Sequence, residues 1–296
     1  MNDLNYAKVY SDQLAQAFPY ALNFGALYAT ENNGRYRFKG GKTIEIPVIT
    51  TTGRTASDRD GVDTLSRNYE NQWEEKVLSN QRKWSTLIHP ADVDQTNYAA
   101  TIANITSVFN NEHKFPEMDA YTVSTIYAQW ADLGEDPVVC EVTSDNVLSL
   151  FDDLMAKMSE ARVPVSGRIL YVTPSVMKAL KNSSAIGRSF DVKSGGDINR
   201  TVTTLDGVSV IEVPASLMKT AYSFENGWEI SESALQISML LIHPESVITP
   251  VSYEFACLDE PSASTGGKYV YYEESFEDVF VLANRANGIK FVLTDE

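Results

Sequence analysis

The feature that most constrains this chain is a pair of alternating segments separated by a long polar stretch, residues 50–68. In the first segment Ile44, Ile46 and Val48 alternate with polar or turn residues, and in the second, residues 69–87, apolar residues are spaced among charges. This alternation is typical of β-strands and predicts an extended hairpin. Because the hairpin has too few apolar residues for a core of its own, we expect it to project and to be mobile until it docks.

The rest of the chain mixes helical and strand patterns. A short helix is predicted around Tyr6–Ala17 in an aromatic-rich N-terminal segment, and over residues 91–132 either one long helix or two in line with a break near His113–Pro116. Residues 144–240 read as alternating helices and strands. The strand predictions are a buried strand at Arg168–Thr173, a strand with an Asp-Gly turn at Asp206–Gly207, an apolar strand at Leu235–Ile242, and further strands in Val247–Phe255 and Tyr269–Leu293. The sequence therefore predicts an α+β fold.

The charge is unevenly divided along the 296 residues, whose formal net charge is −16. Residues 1–90 carry 11 Lys and Arg against 10 Asp and Glu, whereas residues 91–296 carry 13 against 30. An acidic body argues against tight wrapping of nucleic acid, which needs clustered basic side chains. The mildly basic segment 31–59 has two interpretations that stay open, a solvated loop surface or a contact with acidic neighbouring subunits.

The sequence contains no apolar run approaching the roughly 18 residues of a membrane span. Its N-terminus has no basic flank followed by an apolar stretch, so we expect no signal peptide. Cys140 and Cys257 are the only cysteines, and we interpret them as reduced core residues of a cytosolic product.

The search for catalytic chemistry finds no motif that predicts an active site. His89, His113 and His243 lack ligand spacing and are interpreted as structural. The segment 266–268, Gly-Gly-Lys, lacks the remaining residues of a phosphate loop. The segment 58–63 resembles part of a calcium loop but lacks its distal Glu, which favours an acidic turn. We therefore expect no catalytic, cofactor or metal site.

Six short sequence segments follow one another in a characteristic order. None of them is a catalytic motif. They are Gly41–Pro47, His89–Asn97, Phe115–Tyr121, Gly167–Pro174, Leu180–Lys181 and Val213–Thr220. Together they resemble the major capsid (coat) proteins of tailed double-stranded-DNA bacteriophages, which have the Hong Kong 97-type fold. The resemblance runs from about Arg35 to Phe291 and is greatest to capsid proteins from phages of Gram-positive bacteria.

The resemblance implies a division of the chain into four parts. Residues 1–35 would be an N-terminal arm and residues 36–88 the extended loop. Residues 89–138 together with 242–296 would form a peripheral domain around a long spine helix, and residues 139–241 an axial domain.

The implied function is structural. Copies of the chain would assemble as pentamers and hexamers into an icosahedral shell that encloses double-stranded DNA without sequence-specific binding. The implied partners are a separate scaffolding protein, a portal and decoration proteins, with no membrane. The protein would be found in the virion after assembly in the cytoplasm of the host bacterium. Alternatives are an encapsulin-like compartment shell and a soluble α/β enzyme.

If the arm and hairpin reach neighbouring subunits, their apolar and basic residues should make the contacts. The predicted contact residues are Tyr10, Phe18, Tyr36, Phe38, Lys42, Ile44, Ile46, Trp73, Val77 and Trp84.

Overall fold

A computed structural model of the chain describes residues 20–40, 42–54, 67–95, 101–183 and 202–294. The predicted helix Tyr6–Ala17, the predicted contact residues Tyr10 and Phe18, and the acidic segment 58–63 lie outside these ranges.

In the described ranges the α-helices are α1 Gly25–Tyr28, α2 Pro90–Gln95, α3 Ile102–Phe109, α4 Phe115–Asp132, α5 Val147–Glu160 and α6 Pro174–Asn182. The strands are β1 Arg37–Gly40, β2 Thr43–Thr51, β3 Tyr69–Val77, β4 Gln81–Ile88, β5 Val138–Val139, β6 Ile169–Val172, β7 Thr204–Leu205, β8 Val208–Glu212, β9 Tyr222–Ser223, β10 Glu229–Ile230, β11 Gln236–Ile242, β12 Val247–Ile248, β13 Val251–Asp259, β14 Tyr269–Glu277, β15 Phe280–Val281 and β16 Ile289–Thr294.

A six-stranded sheet in the order β5-β16-β11-β6-β8-β7 forms the centre of the molecule. Helices α5 and α6 pack on one face and α4 packs on the other, so the central strands are buried on both sides. Strands covered on both faces read as continuous apolar runs instead of alternating ones. This is why β6 and β11 could be predicted as buried strands, and both predictions are confirmed.

A buried guanidinium fastens the end of α5 to this sheet. Arg168 is 1% exposed and donates to the carbonyl oxygens of Pro164 at 2.9 Å, Val163 at 2.8 Å and Met155 at 3.2 Å, and to Ser159 Oγ at 3.2 Å. Burial lowers its pKa, and carbonyl oxygens at the negative end of the helix compensate the charge.

We expect Arg168→Met to lower the free energy of unfolding by about 1–3 kcal/mol, because four hydrogen bonds of a buried guanidinium that joins the sheet to the end of α5 are lost. The control is Lys157→Met, which replaces an exposed cation on α5 and should shift the free energy of unfolding by less than about 0.5 kcal/mol. Urea unfolding of both variants checks this. Equal losses in the two would contradict the structural role of Arg168.

The long helix contains one irregular turn where the sequence predicts a break. Residues Asn110–Lys114 form a π turn between α3 and α4, and the Phe115 N–H donates to the Asn110 carbonyl, five residues back. Pro116, which has no N–H to donate, follows at the start of α4. The helix therefore continues through the predicted break, and ends before Gly134, whose φ is +83°.

The predicted hairpin is confirmed, but its second segment is two strands. β2 pairs antiparallel with β3 from Thr43–Val77 to Thr51–Tyr69. The chain then turns at residues 78–80, and β4 pairs with β14 in a separate sheet, ordered β13-β14-β4. The prediction that residues 69–87 form one continuous strand of the hairpin is therefore wrong. Leu78, which is 3% exposed, turns into the core at this point and ends the alternation.

The six-stranded sheet takes strands from segments that the resemblance assigns to different domains. β16 falls in a range predicted as peripheral, β6, β7 and β8 fall in the axial range, and β5 and β11 cross the predicted boundaries. The boundaries themselves stay predictions.

The two cysteines are free thiols, as predicted, but their placement in the core is wrong. Both are half-buried. Cys140 follows the edge strand β5, and Cys257 lies on the edge strand β13 of the three-stranded sheet. Edge strands have a neighbour on one side only, which leaves their side chains less covered.

Candidate assembly surface

The root of the extended loop, where β1 and β2 meet the body, packs against its own chain. Ile44 and Ile46, 0% and 8% exposed, contact Leu78, Ile248 and Phe280 in a small apolar cluster. These two predicted contact residues therefore hold the loop to the body of the same subunit.

The other face of the same sheet is uncovered. Since paired residues of antiparallel strands point to one side, the odd-numbered residues of β2 and β3 share this face. Its exposed large apolar side chains form the outer loop face: Ile49 (65% exposed), Tyr69 (53%), Trp73 (41%) and Val77 (62%). Apolar patches of this kind on a thin sheet mark docking surfaces.

The charges on the loop are largely paired within it. Glu45 contacts Arg37 at 2.7 Å and Lys39 at 3.2 Å, and Lys39 also contacts Glu75. The Arg37 guanidinium lies 4.0 Å from the centroid of the Trp73 ring. The two cations hold the pKa of Glu45 below its usual range by hydrogen bonding. Because these charged side chains already have partners, the exposed apolar side chains are the part of the outer loop face that would gain most from burial against another surface.

A buried carboxylate anchors the loop where β3 passes into β4. Asp278, 3% exposed, accepts hydrogen bonds from Ser79 N at 2.7 Å, Tyr121 Oη at 2.8 Å and its neighbour Val279 N at 2.8 Å. The root of the loop is thereby tied to helix α4.

Another buried carboxylate, that of Asp119 on α4, anchors the segment that precedes the loop. Asp119, 0% exposed, accepts hydrogen bonds from Asn23 N at 3.0 Å, Asn23 Nδ2 at 2.8 Å, Phe24 N at 3.1 Å and the Tyr20 hydroxyl. Burial raises the pKa of Asp119, and these hydrogen bonds oppose the rise. Both segments that leave the body are thus held by carboxylates on or beside one helix.

The remaining predicted contact residues have varied surroundings. Lys42 Nζ donates to Gln81 Oε1 at 3.0 Å and lies 4.8 Å from the Phe276 ring centroid. The half-buried Tyr36 packs edge-on against Phe38, which is 46% exposed. These positions are compatible with contacts to a neighbour, and the predictions stand.

One predicted contact residue, Trp84, packs within its own subunit, and two exposed residues of the outer loop face, Ile49 and Tyr69, were not predicted. Trp84 stacks on Phe109 of α3 with ring centroids 4.0 Å apart, so it contacts its own chain. The alternation of Ile44, Ile46 and Val48 marks one face of β2 as apolar. Ile49, which follows Val48 directly, breaks this alternation and is the signal in the sequence that the other face also carries an apolar side chain.

His89 and His243 make hydrogen bonds within their own chain, and His113 lies beside Phe109 with ring centroids 6.2 Å apart. The buried His243 accepts from Glu245 N at its Nδ1 atom, at 3.3 Å, and its Nε2 atom lies 3.1 Å from the Ser166 carbonyl oxygen. His89 Nδ1 accepts from Ala91 N at 3.1 Å. In the described part of the chain no group of three or more His, Cys, Asp or Glu side chains is placed to hold a metal ion. No helix in that part is long and apolar enough to cross a membrane.

The arrangement as a whole is an α+β body with a long helix, a central sheet and an extended loop. The sequence matches no protein-family model and no curated protein. The structure is similar to the capsid of Ralstonia phage GP4 (TM-score 0.64, 12% identity, covering 99% of this chain and 96% of that chain). It is also similar to the capsid structure of the Cyanophage P-SCSP1u (0.63, 13%, 99% and 94%) and to the head structure of Helicobacter pylori bacteriophage KHP40 (0.60, 10%, 99% and 96%).

These similarities extend over nearly the whole of both chains. The chain therefore has the fold of a phage capsid protein, and the predicted α+β capsid fold is confirmed.

Proposed function

We propose that the chain is the major structural subunit of a tailed-phage capsid and assembles as pentamers and hexamers into an icosahedral shell around double-stranded DNA. The observation that carries this proposal is the likeness to phage capsid and head structures over nearly the full length of both chains. A shell subunit needs a rigid body and projecting segments that share burial with neighbours, and the sheet, long helix and loop supply these parts. The role is structural, not enzymatic.

The outer loop face is the surface we assign to contact with an adjacent subunit. Its apolar side chains belong to no core of the described chain, and only the guanidinium groups of Arg37 and Arg67 lie over two of them, Trp73 and Tyr69. The charges beside them on β1, β2 and β3 are paired in part, as in the contacts of Glu45 and Glu75 with Lys39 and of Glu74 with Lys76. Both interpretations of the basic segment stay open, and the pairing of Arg37 and Lys39 within their own loop favours the first of them, a solvated loop surface, for these two residues. The division into arm, extended loop, peripheral domain and axial domain with the boundaries given above belongs to the same proposal.

The partners follow from the same role. They would be further copies of the chain, a scaffolding protein, a portal and decoration proteins, with assembly in the cytoplasm of the host bacterium and residence in the virion. The acidic body, with 30 acidic against 13 basic residues over positions 91–296, would enclose DNA without clinging to it.

Electron microscopy of the full-length protein and of lysates that contain it tests the function. Closed shells, with tails on particles in the lysate, are the expected result. Small tailless shells would identify an encapsulin-like compartment instead, and compact monomers at high concentration would contradict any shell function and favour the enzyme alternative.

A shortened loop tests the role of the extended loop. Thr52 N–H donates to the Asn68 carbonyl oxygen at 3.1 Å next to the Thr51–Tyr69 pair, so residues 53–67 can be replaced by a two-residue Asn-Gly turn without changing the register of β2 and β3. We expect this variant to fold with unchanged circular dichroism but to yield no intact shells by electron microscopy, because we propose that the removed segment adds to the contact of the outer loop face. Intact shells from the shortened chain would show that the removed segment takes no part in assembly and would confine the proposed contact to the outer loop face, which the variant keeps.

A further inference from the structure

A charged cavity of about 320 Å³ lies between the β13-β14-β4 sheet and the long helix. Two ion pairs bridge its walls. Arg82 Nε on β4 is 2.5 Å from Glu117 Oε1 on α4, and Lys114 Nζ on the π turn is 3.1 Å from Glu273 Oε1 on β14. The sheet and the helix are therefore joined by two cation–carboxylate contacts at this cavity.

Arg82 makes further contacts beyond the ion pair. Its guanidinium donates to the carbonyl oxygens of Phe224 at 2.6 Å and Gly227 at 3.4 Å, in the turn between β9 and β10. Trp84, two residues along β4, stacks on Phe109 of α3. Since β4 is the strand that leads out of the extended loop, these contacts connect the loop to the helix and to a neighbouring turn.

A third carboxylate in this cavity has no such partner. Glu277 is half-buried at the end of β14, and within the described residues its carboxylate makes no hydrogen bond or ion pair. The charged and titratable groups that face it are Arg82 on β4, Lys114 on the π turn, Glu117 on α4, Glu254 on β13, Glu273 on its own strand and Tyr28 on α1, with Lys83, His113 and Glu274 lining the rest of the cavity.

The balance of these groups opposes ionisation of Glu277. Arg82 and Lys114 are already engaged with Glu117 and Glu273, so neither is free to pair with it. Burial raises the pKa of Glu277 to about 7, an effect that Glu117 and Glu254 strengthen and that the two cations oppose. The carboxyl therefore changes its charge near neutral pH.

We propose that the Glu277 carboxyl is a proton-operated latch between the long helix and the strand that leads out of the extended loop. Protonated, it lets Arg82 and Lys114 hold the two walls together. Ionised, it repels Glu117 and Glu254 and competes for both cations, which loosens the contact between sheet and helix. The latch biases the seating of the loop and does not depend on the type of shell.

The pH dependence has a definite sign. A glutamate in the unfolded chain titrates near pH 4.5, whereas Glu277 in the folded chain keeps its proton up to about pH 7. The folded state thus binds the proton more tightly, and stability falls as pH rises from 4.5 to 7 and then levels off. For this one group the unfolding equilibrium constant rises by up to about 300-fold across that window.

Urea unfolding of the full-length chain between pH 5 and 8.5, at fixed chain concentration, tests the latch. Glu277→Gln keeps the shape of the protonated carboxyl, so the variant should match the wild type at pH 5 and exceed its stability at pH 8. The fluorescence of Trp84, taken as the difference from Trp84→Phe, should shift to the red between pH 5 and 8 in the wild type and stay constant in Glu277→Gln.

Glu274→Gln is the matched control, because Glu274 lies on the same strand and its carboxylate, unlike that of Glu277, is already hydrogen-bonded, to Gln81 and Tyr272. It should keep the pH profile of the wild type between pH 5 and 8.5. Parallel pH profiles for the wild type and Glu277→Gln would overturn the proposal, as would a wild-type Trp84 signal that does not change with pH. Both outcomes are independent of whether shells form.

Discussion

Replacing Tyr69 and Trp73 together with serine should abolish shell assembly while the subunit stays folded. Both aromatic rings lie on the outer loop face, 53% and 41% exposed, where they have no intramolecular core to support. The subunit should lose at most about 2 kcal/mol, chiefly the contacts of Trp73 with Arg37 and of Tyr69 with Arg67. Buried at an interface, however, each ring would contribute about 2 kcal/mol, repeated at every copy of the contact in the shell.

Light scattering and electron microscopy at matched chain concentration measure the effect. The control is Glu70→Ser with Gln72→Ser, which changes two exposed residues of the same strand on its other face. The control should assemble like the wild type. Normal shells from the double aromatic variant would show that the outer loop face is not the contact surface, while unfolding would be detected separately by circular dichroism.

Asp119→Ala should release residues 20–24 from the long helix and lower the free energy of unfolding by about 2–4 kcal/mol. The carboxylate is fully buried and accepts from Asn23 N, Asn23 Nδ2, Phe24 N and the Tyr20 hydroxyl. Without it, the buried Phe24 N–H and the half-buried Asn23 N–H and Tyr20 hydroxyl lose their acceptor, while Asn23 Nδ2 keeps only its contact with the Tyr20 hydroxyl. Because donors left unpaired in a buried site cost their full desolvation, the loss should exceed that of any single hydrogen bond.

Hydrogen exchange resolves where the change occurs. In Asp119→Ala, the amides of Asn23 and Phe24 should exchange faster by an order of magnitude or more, ahead of those in the central sheet. Asp132→Ala removes an exposed carboxylate from the last turn of the same helix and should leave stability unchanged or slightly higher, since an acid there opposes the helix dipole. Unchanged protection at Asn23 and Phe24 in Asp119→Ala would contradict the anchoring role.

Local patterns in the sequence were sufficient to predict most of the secondary structure. The alternation around Ile44 and Ile46 predicted β2, the apolar run at 169–172 predicted β6, and the Asp206–Gly207 pair predicted the turn between β7 and β8. Each of these signals lies within a few residues, and Asp206 and Gly207 indeed have φ of +49° and +80°. Periodicity could not show that β4 leaves the hairpin, because pairing with β14 depends on residues nearly 200 positions away.

The candidate surface was predicted only in part. Trp73 and Val77 were identified as contact residues and lie exposed on the outer loop face, but Ile44 and Ile46 point into their own subunit and Trp84 stacks on Phe109. An alternating strand has two faces, and the sequence does not say which face the body covers. That choice depends on which other elements reach the strand.

Short-range information therefore determined the α+β elements, the projecting hairpin, the long helix and the uneven charge, since spacing, turn residues and composition are local properties. Only the tertiary structure decided which carboxylates hold the chain together. Asp119 and Asp278 are ordinary acids in the sequence, and become anchors because they are buried opposite donors far along the chain. Glu277 likewise has a distinct role only because folding places it beside Arg82, Lys114 and Glu117, in a cavity where neither cation is free to neutralise it.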